Sequence, residues 1–434
     1  MKSNKRALFH CLVASGAMVV SACGGSKKSA DSPQGNQKQV GNSNAVRKVS
    51  SEATTDYASA VSYFQEQAKA GWNPGRCKSA AEKFDDVASS HPKLVEARFN
   101  AGVAYDQCNM SGKAEGEYKE ALRVNPNHAP SLGNLGQIAF VKGDKAGAKK
   151  YWDKAVAADS KSAVAAHVNL AWLIYDDMRS GKVKGKAFEN ANKTAARHLS
   201  TALAVENANV EAYVLFGLLY IEGADRNKSR LALSGLLLDK AGEIDNNFAP
   251  LHNARGRLLL EKDQVAQALV AFRRATELDP SLLEARMNVG NIVLDFRKWK
   301  DAETEFGAVL AASPKNYYAL LGMGVAKRGL KDFGAAEEFF NKAVGVDASR
   351  ADAHFNLGVL YQDFRANQEQ QDLRKAQGAY RKAIGYFGKA SASRSASAGL
   401  KKEAAANVKV CEANIKSLEE AIKFQSSAPP APTP

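Results

Sequence analysis

The chain has 434 residues and a formal net charge of +14, with 45% hydrophobic and 24% charged residues. That length can bury one large core or several. Beyond the first 22 residues no apolar run is long enough to cross a membrane as a helix, which excludes further transmembrane helices. The basic balance favours acidic partners: lipid headgroups, acidic proteins or anionic envelope polymers.

In chain order, the first element is a leader over residues 1–22. Lys2, Lys5 and Arg6 form a basic start, and an apolar stretch from Ala7 to about Val20 is too short and too weakly apolar for a stable span. It ends in Val20-Ser21-Ala22-Cys23-Gly24, which resembles the bacterial lipobox: an aliphatic residue, two small residues, then Cys. The resemblance implies that Cys23 is acylated through sulfur and becomes the N-terminus, losing three of the fourteen net positive charges with the leader. Gly24, not Asp, follows it, which by the sorting rule of such lipoproteins implies the outer membrane, on the periplasmic side. Export in turn argues against nucleic acid as a partner.

Residues 23–54 read as a tether rich in Gly, Ser, Asn, Gln and Lys, without aromatics to offset the entropy of ordering. About 30 such residues reach roughly 30 Å. At the other end, residues 426–434 form a Pro-rich tail that cannot continue a helix.

Between these ends the sequence repeats. A small residue recurs at Gly102, Gly136, Ala171, Gly217, Gly256, Gly290, Gly324 and Gly358, and four of the steps are 34 residues. A second small series runs Ala121, Ala155, Ala202, Ala241, Ala275, Val309, Ala343 and Ala383. A ring stands three residues before several of these, at Tyr118, Trp152, Phe272, Phe306, Phe340 and Tyr380, and Pro92, Pro126, Pro280 and Pro314 close units. Small residues belong where two antiparallel helices approach closely, rings fill the space beside them, and Pro ends the second helix. These positions resemble the tetratricopeptide repeat. The resemblance implies an all-α superhelical solenoid of about nine helical hairpins over residues 55–390, with a degenerate first unit that keeps Ala80, Phe84 and Pro92. The fourth, fifth and ninth units carry expansions, near Asp176–Asn192, Gly223–Leu231 and Arg365–Arg374. Such residues are expected at turns on one rim.

The fourth-unit expansion is basic, with Arg179, Lys182, Lys184, Lys186 and Lys193, and reads either as a solvated loop or as a contact for anionic lipid or an acidic protein. Its Gly181-Lys182-Val183-Lys184-Gly185-Lys186-Ala187 is not a phosphate loop: the second Gly is one residue early, Ala stands where Ser or Thr is needed, and no strand precedes it. After the array, residues 391–425 carry an apolar stripe through Leu400, Ala404, Val408, Cys411, Ile415, Leu418 and Ile422, as a capping helix needs.

No catalytic set emerges. The seven histidines show no metal-ligand spacing, and there is no nucleophile elbow or Cys–His pattern. The chain is therefore expected to bind and not to catalyse, with no cofactor and no metal. In the repeat family the ligand lies on the concave face of the first helices. The carboxylate clamp of the chaperone-binding members is absent from the matching positions. Phe140, Val168, Trp172, Tyr175, Val214, Leu218 and Ile221 instead form either an apolar groove for a partner helix or a set of side chains that pack on one another.

Of the remaining cysteines, Cys77 and Cys108 fall at turns on the same rim of adjacent units, where Cα separations suit a disulfide, and Cys411 lies on the last helix's apolar stripe. As a whole the chain resembles the tetratricopeptide-repeat lipoproteins of bacterial surface machines, among them that of the gliding-motility apparatus and the shorter pilotins of type IV pili. This implies envelope partners, periplasmic proteins or outer-membrane β-barrels. The competing reading is an accessory or carrier that binds envelope glycan or lipid.

Overall fold

A computed structural model describes residues 50–223, 229–369 and 371–427. The leader, Cys23, most of the tether and the end of the tail lie outside these residues. Among the described residues all regular structure is helical. The helices pair as hairpins: α1 (Ser51–Lys69) with α2 (Pro74–Ser90), α3 (Val95–Asp106) with α4 (Ser111–Val124), α5 (Ala129–Val141) with α6 (Lys145–Ala158), α7 (Val164–Arg179) with α8 (Gly185–Val205) and α9 (Val210–Glu222) with α10 (Arg230–Ile244). Then come α11 (Ala249–Glu261) with α12 (Val265–Leu278), α13 (Leu283–Asp295) with α14 (Trp299–Ala312), α15 (Tyr317–Gly329) with α16 (Phe333–Val346), and α17 (Ala351–Val359) with α18 (Leu373–Ala392). Helix α17 continues through a π-helical turn, Leu360–Arg365, and a short turn, Ala366–Gln368; α19 (Ala398–Ser427) follows. The molecule divides into two compact units, one ending at Ala254 and one beginning at Arg255.

The packing rule is visible at each hairpin. A Cβ placed on Gly102, Gly136, Gly256, Gly290 or Gly324 would fall 2.4–2.8 Å from the ring of Tyr118, Trp152, Phe272, Phe306 or Phe340, so the glycine is what lets the ring lie against the first helix. These rings are fully buried, which stabilises by about 2–3 kcal/mol each. Polar tips find partners: Trp152 Nε1 donates to the Gly133 carbonyl at 3.1 Å, and Tyr118 Oη donates to Asp106 at 2.5 Å.

The turns inside the regular hairpins repeat as well. Asn109, Gly143, Asp263, Arg297 and Lys331 all have φ between +56° and +85°. The residue after each donates its N–H five residues back, as Lys298 N does to Val293 O at 2.9 Å and Asp332 N to Lys327 O at 3.0 Å, closing the helix end as a Schellman turn does. Four of these five positions hold a residue with a side chain, at a cost of about 1–2 kcal/mol each relative to Gly. Between hairpins the chain turns on Asn125, Asp159, Asp245, Asp279 and Asp347, whose side chains accept from the N–H two residues on.

Several sequence-derived boundaries shift. Helix α1 begins at Ser51, inside the stretch read as tether, because Ser50 Oγ caps it by accepting from Ala53 N at 3.1 Å. In the fourth unit the extra residues do not gather in a rim loop. They lengthen both helices, giving an α7 of 16 residues and an α8 of 21, with a short turn at residues 180–184. In the ninth unit the ring beside Gly358 is Phe387, not Tyr380. The two sit seven residues apart on one helical face, so the sequence register slipped by two turns. Helix α19 lies on α18, burying Ala404 and Cys411 against the cluster that holds Phe387. The Cys411 thiol donates to Gln362 Oε1 at 3.2 Å, and burial pushes its pKa up to about 11.

Candidate functional site

The first helices of hairpins three to five supply the expected groove residues, and there the structure corrects the reading of an open groove. Val168, Tyr175, Val214, Leu218 and Ile221 are all buried, Leu218 with 3% of its surface exposed and Val214 with none. Phe140 and Trp172 are half-buried and meet edge to face, ring centroids 5.3 Å apart. Lys145 Nζ lies over the Trp172 ring, 5.6 Å from its centroid, and is paired with Asp176 at 2.7 Å. The cause is geometric. α7 packs directly on α9, and large apolar side chains on neighbouring helices 8–10 Å apart fill the space between them themselves.

A polar group lies beside this filled region, and sequence reasoning missed it. On α5, Asn134 Nδ2 and Gln137 Nε2 are buried donors without an acceptor among the described residues. Asn169 of α7 reaches Gln137 Oε1 at 3.5 Å, a long bond. Each unsatisfied donor costs about 1–3 kcal/mol in the free chain. The sequence signal was present: Asn134 and Asn169 each stand two residues before the recurring small residue, as do Asn100, Asn288 and Asn356.

A second feature spans the two helices of one hairpin. The residue four before the small residue of the first helix meets the residue four before that of the second. This places Arg98 Nη1 3.3 Å from Glu117 and Arg286 Nη1 3.0 Å from Glu305. In the expanded fourth hairpin the same pair is His167 and His198, with Nδ1 atoms 2.8 Å apart. His167 Nε2 lies 3.0 Å from Ser160 Oγ. Burial, then the neighbouring imidazole and Arg197, bring His198 down to about 4, and burial also lowers His167. No spacing rule for metal ligands would have found a pair 31 residues apart; the repeat register would have. Among the described residues no group of three or more His, Cys, Asp or Glu could hold a metal ion. Close by, Glu211 in the first turn of α9 is raised to about 7, by burial first and Glu206 second.

The basic expansion divides. Lys182 turns back onto Asp177 at 2.8 Å, and Arg179 reaches Tyr175 Oη at 3.4 Å. Lys184, Lys186 and Lys193 are exposed. Cys77, at the start of α2, and Cys108, just after α3, are joined with Cα atoms 6.3 Å apart.

Comparison with known proteins agrees with this construction. Tetratricopeptide-repeat family models match residues 111–163 and 290–353, and residues 249–282. The BBSome complex member BBS4 of Bos taurus is 25% identical over 286 residues, 66% of this chain and 51% of that one. Cellulose synthase operon protein C of Escherichia coli K12 is 32% identical over 149 residues, 32% of this chain and 12% of that one. The chain therefore spans about half the length, or less, of these relatives. A solved repeat protein from Thermus thermophilus shows 18% identity and a TM-score of 0.38, covering 46% of this chain and 98% of that one.

Proposed function

We propose that this chain, an array of tetratricopeptide repeats, is a binding scaffold that holds a partner protein on the inner face of its first helices. The observation that carries the reading is the pair of buried amide donors at Asn134 and Gln137 that find no acceptor among the described residues. A partner backbone carbonyl that meets the half-buried Gln137, its amide turned outward, would satisfy that donor and recover its share of the cost. In this reading the setting is the bacterial envelope. Val20-Ser21-Ala22-Cys23 supports a lipid anchor at Cys23, hence a place on the periplasmic face of the outer membrane. The partners are periplasmic or β-barrel components of a surface machine such as the gliding apparatus. A pilotin-like role in pilus assembly would use the same face and is separated by who is captured.

The test is capture from detergent-solubilised membranes with identification by mass spectrometry, followed by affinity measurement on the partner found. Gln137→Ala is expected to weaken binding about 3–10-fold, the worth of one hydrogen bond, and not to lower the melting temperature, since it removes a buried donor without an acceptor among the described residues. Unaltered affinity in that variant would remove the third hairpin from the contact.

A further inference from the structure

Away from the inner face, the outer side of hairpins three and four carries cations that no acid among the described residues answers. Helix α8 exposes Lys186, Lys193 and Arg197, spaced seven and four residues apart and so on one side of the helix, about 16 Å end to end. Helix α6 exposes Lys150 and Lys154 one turn apart. The two helices are close enough that Lys149 and Asp153 of α6 act on the charge of His198 of α8. Among the described residues these five cations have no ion partner, although neighbouring cations are paired: Lys145 with Asp176, Lys149 with Asp153 and Lys182 with Asp177.

We propose that this face rests on an anionic lipid bilayer, held by charge alone. Four of the five cations are lysines, hydrated point charges on flexible stems that impose no fixed fork geometry on an anion. A surface of mobile, delocalised negative charge suits such an array better than an acidic protein, which rewards Arg forks in fixed geometry. The exposed residues between them on α8, Ala187 and Asn190, are small or polar, so nothing there inserts into the acyl region. The contact is thus electrostatic and salt-sensitive. It is independent of the inner-face reading, since it uses the second helices.

The experiment is co-sedimentation of the full chain with phosphatidylcholine vesicles, with and without phosphatidylglycerol, at low and high salt. Comparing the two lipid compositions cancels any contribution of an N-terminal lipid. The chain is expected to favour the anionic vesicles by at least ~10-fold at low salt and to lose the preference at high salt. K186E/K193E/R197E should abolish it, and the milder K186Q/K193Q/R197Q should reduce it. K401E/K402E/K409E, an equal charge change on exposed lysines of α19, should keep it. A wild-type chain indifferent to phosphatidylglycerol would overturn the proposal. So would equal losses in the two Glu triple variants, which would assign the effect to net charge. Binding to soluble polyglutamate in place of vesicles would give the face to an acidic protein instead.

Discussion

Hairpins four and seven solve one packing problem with different parts. In hairpin seven, Gly290 faces the Phe306 ring, Arg286 meets Glu305 across the helices, and a left-handed Arg297 closes the turn. In hairpin four, Ala171 stands at the small position and Leu199 at the ring position, both fully buried, and two imidazoles replace the charged pair. A ring needs all the room that a missing Cβ leaves. In hairpin four Leu199, branched and narrower, leaves room for the Ala171 methyl, so filler and small residue exchange volume there. Hairpin five shows that Leu alone does not make that room: a Cβ on Gly217 would fall 2.8 Å from Leu238, as close as one on Gly290 to Phe306.

The largest effect should come from the filled inner face beside hairpin four. Leu218→Glu places a carboxylate among buried apolar side chains and is expected to cost about 3–5 kcal/mol. That lowers the melting temperature by roughly 6–20 °C at about 2–4 °C per kcal/mol. A shift of a degree or two would show that the groove is open after all. Next, Gly290→Val should cost about 2–3 kcal/mol by forcing Phe306 out of its place, whereas Ala171→Gly should cost about 1 kcal/mol, through helix propensity. Equal penalties in chemical denaturation would refute the volume exchange. In the opposite direction, Lys331→Gly should stabilise by about 1 kcal/mol by relieving a positive φ; a loss of stability would mean that the Lys331 side chain holds something that the turn needs.

The smallest effect concerns the crossed pair. His198 titrates near 4 in the fold against 6.5 in the open chain. Between those values the unfolded state takes up the proton first. The stability this group contributes is complete above about pH 6.5 and is lost as the pH falls towards 4. His128, also lowered to about 4 by burial, acts in the same sense. Urea midpoints should therefore decline from pH 7 to pH 4, and His198→Gln should make the decline shallower. An unchanged slope would mean that the imidazole pair is not what titrates.

The comparison also explains what the sequence disclosed. Where Gly and a ring recur at 34-residue steps, each position carries a distinct chemical signature, so hairpins two, three and six to eight could be read residue by residue. Where expansion moved the partner, as with Phe387 beside Gly358, a seven-residue slip preserved the helical face and hid the error. The inner face stayed open between two readings for a different reason. Apolar residues at Val168, Val214 and Leu218 look alike whether they await a partner or touch one another, and only the approach of α7 to α9 distinguishes the two. The amide donors of Asn134 and Gln137 were in plain view, but a missing acceptor is a property of the surroundings and not of the residue.

The link between Cys77 and Cys108 also has a mechanical meaning. Tension applied to the chain ahead of Ser51 would travel along α1 and, on reaching Cys77, pass straight to Cys108 through sulfur. Helices α2 and α3 lie within the bypassed loop. They would carry no load, and the first structure beyond the link to feel the pull would be α4. A chain hauled from its N-terminal end could surrender α1 and still keep the second and third helices folded, a shackle placed one hairpin in from the rope.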